Sequence, residues 1–377
     1  MPTVRPTLAC TALLTALCFS TAQAATPMWR AEELPLLPGD GRIRVMDIND
    51  QGLALAIGYE SGVEILWTEK EGARRFSFGP DMLYLRRVNN ANQFAGRTSQ
   101  RSDTISTPIL LRLGEEPHRF LEGTWAGDTP DPHEPVRDLA DNGEVLGSSE
   151  YPWLWSPTQG LRALQEVSGI NYHVLRVNNH SQVVGYKLQE DDNSPGCLGT
   201  RAFIYQDSTG RYTAIDGGPP AVDRKHCGWF SQATAINDKG HVVGHINRPK
   251  SDDPDERHAL IWKRSTGAVP LNTDDPTMSD FEPLDINERD QVVGTFVKKG
   301  DPKPQRRLFY WDAHTGIVDL QTMLDPNDPL SAQVQLRSTS YGMRINDQGY
   351  ITAHGNLPGD IGKAGRAFVL VPVKPAP

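Results

Sequence analysis

Apolar positions in this chain fall in short runs bounded by Asn, Asp, Gly or Pro, and one such run returns seven times. It reads DINDQGLALAIG (47–58), RVNNANQFAG (87–96), DLADNGEVLG (138–147), RVNNHSQVVG (176–185), AINDKGHVVG (235–244), DINERDQVVG (285–294) and RINDQGYITA (344–353). An apolar strand enters Asn-Asp or its equivalent. A tight turn such as Asp238-Lys239-Gly240 follows, because Asn and Asp satisfy local N–H groups and Gly accepts positive φ. A second strand leaves it, as in His241-Val242-Val243-Gly244.

A third, aromatic strand comes after a variable connection: VEILW (63–67), PWLW (152–155), RAFIY (201–205), HALIW (258–262), RLFYW (307–311) and RAFVL (366–370). Turns at Ser208-Thr209-Gly210, Ser265-Thr266-Gly267 and His314-Thr315-Gly316 then predict a fourth strand, such as IVDLQTM over 317–323. Alternation and aromatic content with short Gly-bearing turns predict antiparallel hairpins, and no segment keeps a helical period.

Copies begin 38 to 59 residues apart, the spacing of one small sheet per copy. A four-stranded sheet with apolar side chains on both faces must be covered on both. Radial stacking does this, and an open solenoid or a large sandwich would do it differently. The chain ends favour a ring. The last copy lacks a fourth strand, and Trp29–Leu37 can supply one, leaving no open edge. The fold expected is all-β: a seven-bladed β-propeller of four-stranded antiparallel blades, closed by an N-terminal strand on the last blade.

Residues 1–24 are expected to be a secretory signal: Arg5 in a short leading segment, an apolar stretch too short to span a bilayer, and Ala22-Gln23-Ala24 at the cleavage position. Residues 25–377 then form one propeller domain, periplasmic or secreted, with no transmembrane segment. Export leaves two cysteines, Cys197 and Cys227, which are expected to pair as a disulfide. The formal charge of −9 carries no basic tract, so nucleic acid is not an expected partner.

IND-x-G-x-VVG alternating with an HAFLW-like strand and a TG turn resembles the extracellular HAF repeat family. HVVG followed by HALIW, and QVVG followed by RAFIY or RLFYW, carry the resemblance, which covers roughly 43–370. The copy at 87–120 departs from it, with ILLRL (109–113) where the aromatic strand should stand. The resemblance implies an exported repeat protein and assigns no activity.

Several recurring residues read as scaffold. Asn49, Asn89, Asn178, Asn237, Asn287 and Asn346, with Ala140 in the third copy, should cap their own turns. Trp67, Trp155, Trp262 and Trp311 should pack between blades. Asp47, Arg87, Asp138, Arg176, Ala235, Asp285 and Arg344 place opposite charges on successive blades, as a channel ring would.

Function should sit on the opposite rim from the tight turns. Long connections fall there, at 98–104, 120–133, 187–200, 216–229, 247–257, 271–280, 298–306, 324–338 and 355–365. First strands start on this rim at Tyr84, His173, Gln232, Glu282 and Tyr341, and the disulfide would fix Arg224, His226 and Trp229 beside the channel. Tyr84, His173, Arg224, His226, Trp229, Glu282 and Tyr341 are the candidate ligand-binding residues, suited to a cell-envelope glycan, a peptide or an exported protein. No nucleophile elbow, HExxH, Walker or dinucleotide fingerprint is present. The acidic stretches lack EF-hand spacing, so neither metal nor cofactor is expected. The alternative is a polysaccharide lyase or hydrolase at the channel mouth, with His173 or His226 as acid or base and Glu282 as partner.

Overall fold

The computed structural model describes residues 29–373, except 37, 77–81, 100–105, 114–117, 120–135, 149–151, 165–166, 168–170, 192–193, 216–229, 248–255, 302–304, 339–341 and 361–364. Residues 1–24, where a secretory signal is expected, therefore lie outside the described residues.

Seven antiparallel sheets are arranged as a β-propeller, six of them with their strands in chain order. Blade 1 comprises Ile43–Ile48, Ala54–Gly58, Glu64–Thr68 and Gly72–Phe76. Blade 2 begins at Met82–Val88, blade 3 at Val136–Leu139, blade 4 at Tyr172–Val177, blade 5 at Ser231–Ile236 and blade 6 at Met278–Ile286. Blade 7 combines Ile351–Asn356 and Arg366–Pro372 with an inner edge split into Gln335–Arg337 and Arg344–Ile345. Its outer strand is Trp29–Leu34, which runs antiparallel to Arg366–Pro372 from Trp29 opposite Pro372 to Leu34 opposite Ala367. The ring is thus closed by the N-terminal strand, as the chain ends predict.

Seven hydrophobic clusters hold the ring, one between each pair of adjacent blades. Third strands serve two clusters at once. In blade 6, Phe309 packs toward blade 5 while Leu308 and Tyr310 pack toward blade 7. This double coverage explains why these strands read as continuous apolar runs rather than alternating ones. Trp67 and Trp155 are buried in such clusters, and Trp262 and Trp311 pack against them from a partly buried position.

Two local expectations differ. The strand predicted over 317–323 ends at Asp319, and Leu320–Met323 form a 3-10 turn capped by the Asp319 carboxylate. Leu320 and Met323 face the core from this turn, so burial there does not require strand geometry. The connection predicted at 187–200 is largely strand. Gln182–Asp191 pairs with Ser194–Gln206 in a hairpin that rises beyond the blade.

The tight-turn rim is stitched by asparagine. Within its own turn, Asn237 Oδ1 accepts the His241 N–H at 3.0 Å, while its Nδ2 donates to the Asn287 carbonyl of the next blade. The same side chain-to-carbonyl bond links Asn49 to Asn89, Asn89 to Ala140, Asn178 to Asn237, Asn287 to Asn346 and Asn346 to Asn49. Capping was the expected role; inter-blade bonding is the addition. Ala140 cannot donate, and Asn142 Nδ2 instead reaches the Asn179 carbonyl.

Candidate functional site

The site is built by a β-bulge repeated around the ring. In blades 1 to 6 the first strand slips register by one residue, between 45/47, 85/87, 136/138, 174/176, 233/235 and 283/285. A bulge lets two successive side chains turn to the same side. The predicted charge series therefore has a second ring above it, formed by Met46, Arg86, Arg137, Leu175, Thr234, Leu284 and, in blade 7, Met343. All seven line one cavity of about 840 Å³ at the channel mouth.

The glycine ending each V-V-G run is the counterpart of the bulge. A Cβ on Gly185 would lie 1.9 Å from the His173 carbonyl oxygen, and one on Gly244 would lie 2.0 Å from that of Gln232. The bulged first strand presses its carbonyl against the second strand, and only glycine leaves room.

In the lower ring, Arg87 Nε donates to Asp138 Oδ1 at 2.9 Å, and Arg344 Nε lies 3.4 Å from Asp47 Oδ1. Each aspartate also accepts a main-chain N–H from the following blade: Val88 for Asp47, Val177 for Asp138, Ile345 for Asp285. Burial pushes the Asp47 and Asp285 carboxyls above the usual carboxylate range, against the pull of the neighbouring arginines. Burial also lowers Arg344. The ring expected from sequence is present as two ion pairs, Arg87–Asp138 and Arg344–Asp47; Asp285 makes none among the described residues, although the charges of Arg344 and Arg176 both act on it. Arg176 is followed in the ring by blade 5, where Ala235 stands in place of an aspartate. Its Nη1 donates to the Leu175 carbonyl at 2.9 Å, and it makes no ion pair among the described residues. Burial, then the charges of Arg344 and Arg87, push its pKa down to about 9, against the opposing pull of Asp138 and Asp285.

Seven arginines and a single carboxylate, Glu282, are among the described residues lining the cavity. Glu282 is neutralised at the rim, where Arg257 Nη1 donates to it at 2.6 Å and Arg306 lies 3.6 Å away. Arg257 also grips Asp280 through Nε and Nη2 at 2.8 and 2.9 Å. Burial works against ionisation of Asp280, but the Arg257 hydrogen bonds and Arg306 charge hold its carboxyl well below the ordinary range. A second cavity of about 360 Å³ lies against blade 6 and the split edge of blade 7. It shares Gln305, Arg306 and Arg337 with the mouth.

Among the predicted site residues, Glu282 lines the mouth. His173 stacks on Tyr186, a lining residue, with ring centroids 4.7 Å apart. Burial and the Arg137 charge lower the His173 pKa, which leaves the imidazole neutral near pH 7. No hydrogen bond joins His173 to Glu282. Tyr84 sits beneath the Arg97 guanidinium, 5.0 Å from its ring centroid, and is not among the lining residues. Arg224, His226, Cys227, Trp229 and Tyr341 lie outside the described residues. Cys197 falls within the strand Ser194–Gln206. The sequence reading missed Arg86, Arg137 and Tyr186. The recurring glycine was the available signal for the bulge that brings the first two into the channel.

A family model described as a protein of unknown function (DUF3466) matches residues 219–368. No curated protein matches the chain. Solved propellers are similar in fold. A streptogramin B lyase structure aligns with a TM-score of 0.52 at 9% identity over 93% of this chain and 100% of its own. The β-propeller domain of the trilobed protease from Pyrococcus furiosus aligns with a TM-score of 0.52 at 10% identity, over 87% and 93%. An oligogalacturonate lyase in complex with manganese gives 0.52 at 10%, over 92% and 97%. At such identities the likeness establishes the propeller fold. No helix among the described residues is long and apolar enough to cross a membrane.

Proposed function

We propose that this is an exported, non-catalytic propeller that binds a cell-envelope glycan, a peptide or an exported protein through the rim carrying its long connections. The observation that supports it most is the arginine-lined mouth of about 840 Å³, adjoined by the smaller cavity at blades 6 and 7. A chain-like ligand seated in the mouth would find further donors in Gln305, Arg306 and Arg337. The leader-like residues 1–24 and the resemblance to HAF repeats favour export. The test is a screen of the mature chain against envelope glycans and exported proteins. Binding should weaken at least tenfold in Arg337→Ala and Trp229→Ala. Binding that instead responds to Asp238→Ala on the tight-turn rim would refute the placement.

The lyase or hydrolase reading draws on one feature, the neutral His173 stacked on Tyr186 beside Arg137. Product formation from acidic polysaccharides that disappears in His173→Ala would favour it over simple binding.

The same reading gives Cys197 and Cys227 a role as a strap across two rim connections. Closing a loop of about 30 residues is worth roughly 3–4 kcal/mol in chain entropy, reduced here because the ring already holds both loop bases. Mass mapping under non-reducing conditions should recover a linked peptide pair. Two free thiols in exported protein would remove the strap.

A further inference from the structure

Arg176 marks the position where the channel ring is incomplete. In blades 2 and 7 the ring arginine reaches forward to the next blade's aspartate, as Arg87 does to Asp138 and Arg344 to Asp47. After blade 4 the equivalent aspartate position is Ala235, a buried residue with no side-chain acceptor, and Arg176 feels Asp138 and Asp285 only through their charge, without an ion pair. Arg176 keeps only a main-chain carbonyl as hydrogen-bond partner. On the adjoining blade, Arg137 makes no hydrogen bond or ion pair among the described residues, and its Nε is buried without a partner. Both arginines line the same cavity, together with Tyr186 and Gln232.

Buried donors without acceptors are costly, and two cations facing one space repel. The lower ring balances three arginines against three aspartates, whereas the upper ring adds Arg86 and Arg137 and no acid. An anion entering here replaces bulk water for groups already positioned, which is the circumstance in which charge-assisted hydrogen bonds contribute most. The other upper-ring positions include the apolar Met46, Leu284 and Met343. Within the upper ring, charge is therefore offered by blades 2 and 3 alone.

We propose that the channel floor is a carboxylate subsite, in which a ligand carboxylate takes between Arg137 and Arg176 the place that Asp138 and Asp47 take beside Arg87 and Arg344. This rests on the rim-binding reading and names the chemistry that the rim ligand must carry. A planar carboxylate is favoured over a tetrahedral phosphate because the ring is built to pair guanidinium with carboxylate at the equivalent positions. Acidic sugars and acidic peptides both carry the group.

The decisive variant is Ala235→Asp, which supplies the missing carboxylate from the protein itself. Acetate is the first probe, titrated into the full mature chain in low-chloride buffer while the arginine Nε–H resonances are followed. Saturable shifts at Arg176 and Arg137 are expected, at least tenfold weaker in Ala235→Asp, with that variant melting at a higher temperature than the parent. Inorganic phosphate should bind more weakly than acetate. No shift at Arg176, an unchanged acetate affinity in Ala235→Asp, or tighter binding of phosphate would each overturn the subsite. Should Ala235→Asp fail to fold, Arg137→Gln carries the same affinity test. A uronic-acid oligosaccharide and an oligoglutamate peptide then distinguish the source: the bound class should exceed acetate at least tenfold and lose that margin on methyl esterification. Neither exceeding acetate would overturn the rim reading while leaving the subsite in place.

Discussion

Glu64 shows most plainly how burial sets chemistry at the residue scale. It stands in the third strand of blade 1, 3% exposed, with Oε1 accepting the Leu85 N–H at 3.3 Å. Burial raises its pKa to about 7 from an ordinary value of 4.5. The folded state then holds a proton that the unfolded chain releases, so stability falls as pH rises from 4.5 to about 7 and stays lower above it. The whole effect is about 3 kcal/mol. Glu64→Gln keeps the acceptor and removes the titration. Its urea midpoint should exceed the parent's at pH 8 and approach it at pH 4.5. Parallel pH profiles for the two proteins would exclude Glu64 as the source. Nothing in the sequence around Val63-Glu64-Ile65 announces this burial, because an isolated glutamate in an apolar strand has the same spelling on an exposed edge.

At the scale of the element, the bulge and its glycine decide what the channel contains. Strand alternation alone would send residue 86 or 137 away from the axis when 87 or 138 faces it. The slip at each first strand brings both inward, and the glycine opposite accommodates the displaced carbonyl. Gly244→Ala should cost about 2–4 kcal/mol, at the large end for one methyl group, because the clash is with main chain rather than a movable side chain. Chemical denaturation measures this, and a loss under 1 kcal/mol would mean that the bulge relaxes freely. The turn elements were more legible. Asn-Asp-x-Gly and its variants were readable as turns from residue chemistry alone, and Asn92, Ser181 and Asp290 adopt positive φ where glycine is absent.

Over the whole molecule, stability rests on closure and on the charge ring. Trp29–Leu34 completes blade 7, and the Trp29 indole donates to the Gly349 carbonyl at 2.8 Å while packing 5.0 Å from the Tyr310 ring. A chain shortened to start at Pro35 would lose that strand and expose the Arg366–Pro372 edge. It should melt well below the parent and self-associate, as sedimentation would detect; an unchanged monomer would show that closure contributes little. Arg87→Ala removes the partner of Asp138 and the largest favourable charge acting on Asp47. A loss of about 3 kcal/mol is expected for stranding a buried carboxylate, and an unchanged denaturant midpoint would refute the pairing.

The sequence by itself determined the repeat, its turns, the number of blades and the strand that closes them. Each of these follows from local residue chemistry or from a pattern returning seven times along one chain. It also indicated a ring of opposite charges and a variable rim, since period and connection length are one-dimensional properties. Only the tertiary structure decided which side chains meet. The second channel ring depends on a register slip between paired strands. The open position beside Arg176 depends on the order of blades around the ring, which puts Ala235, 59 residues along the chain, at the next blade's aspartate position. The proximity of Arg137 to His173 and Tyr186 depends on how two blades pack. These are relations between segments brought together by hydrophobic burial, and burial fixes distances that residue order leaves free.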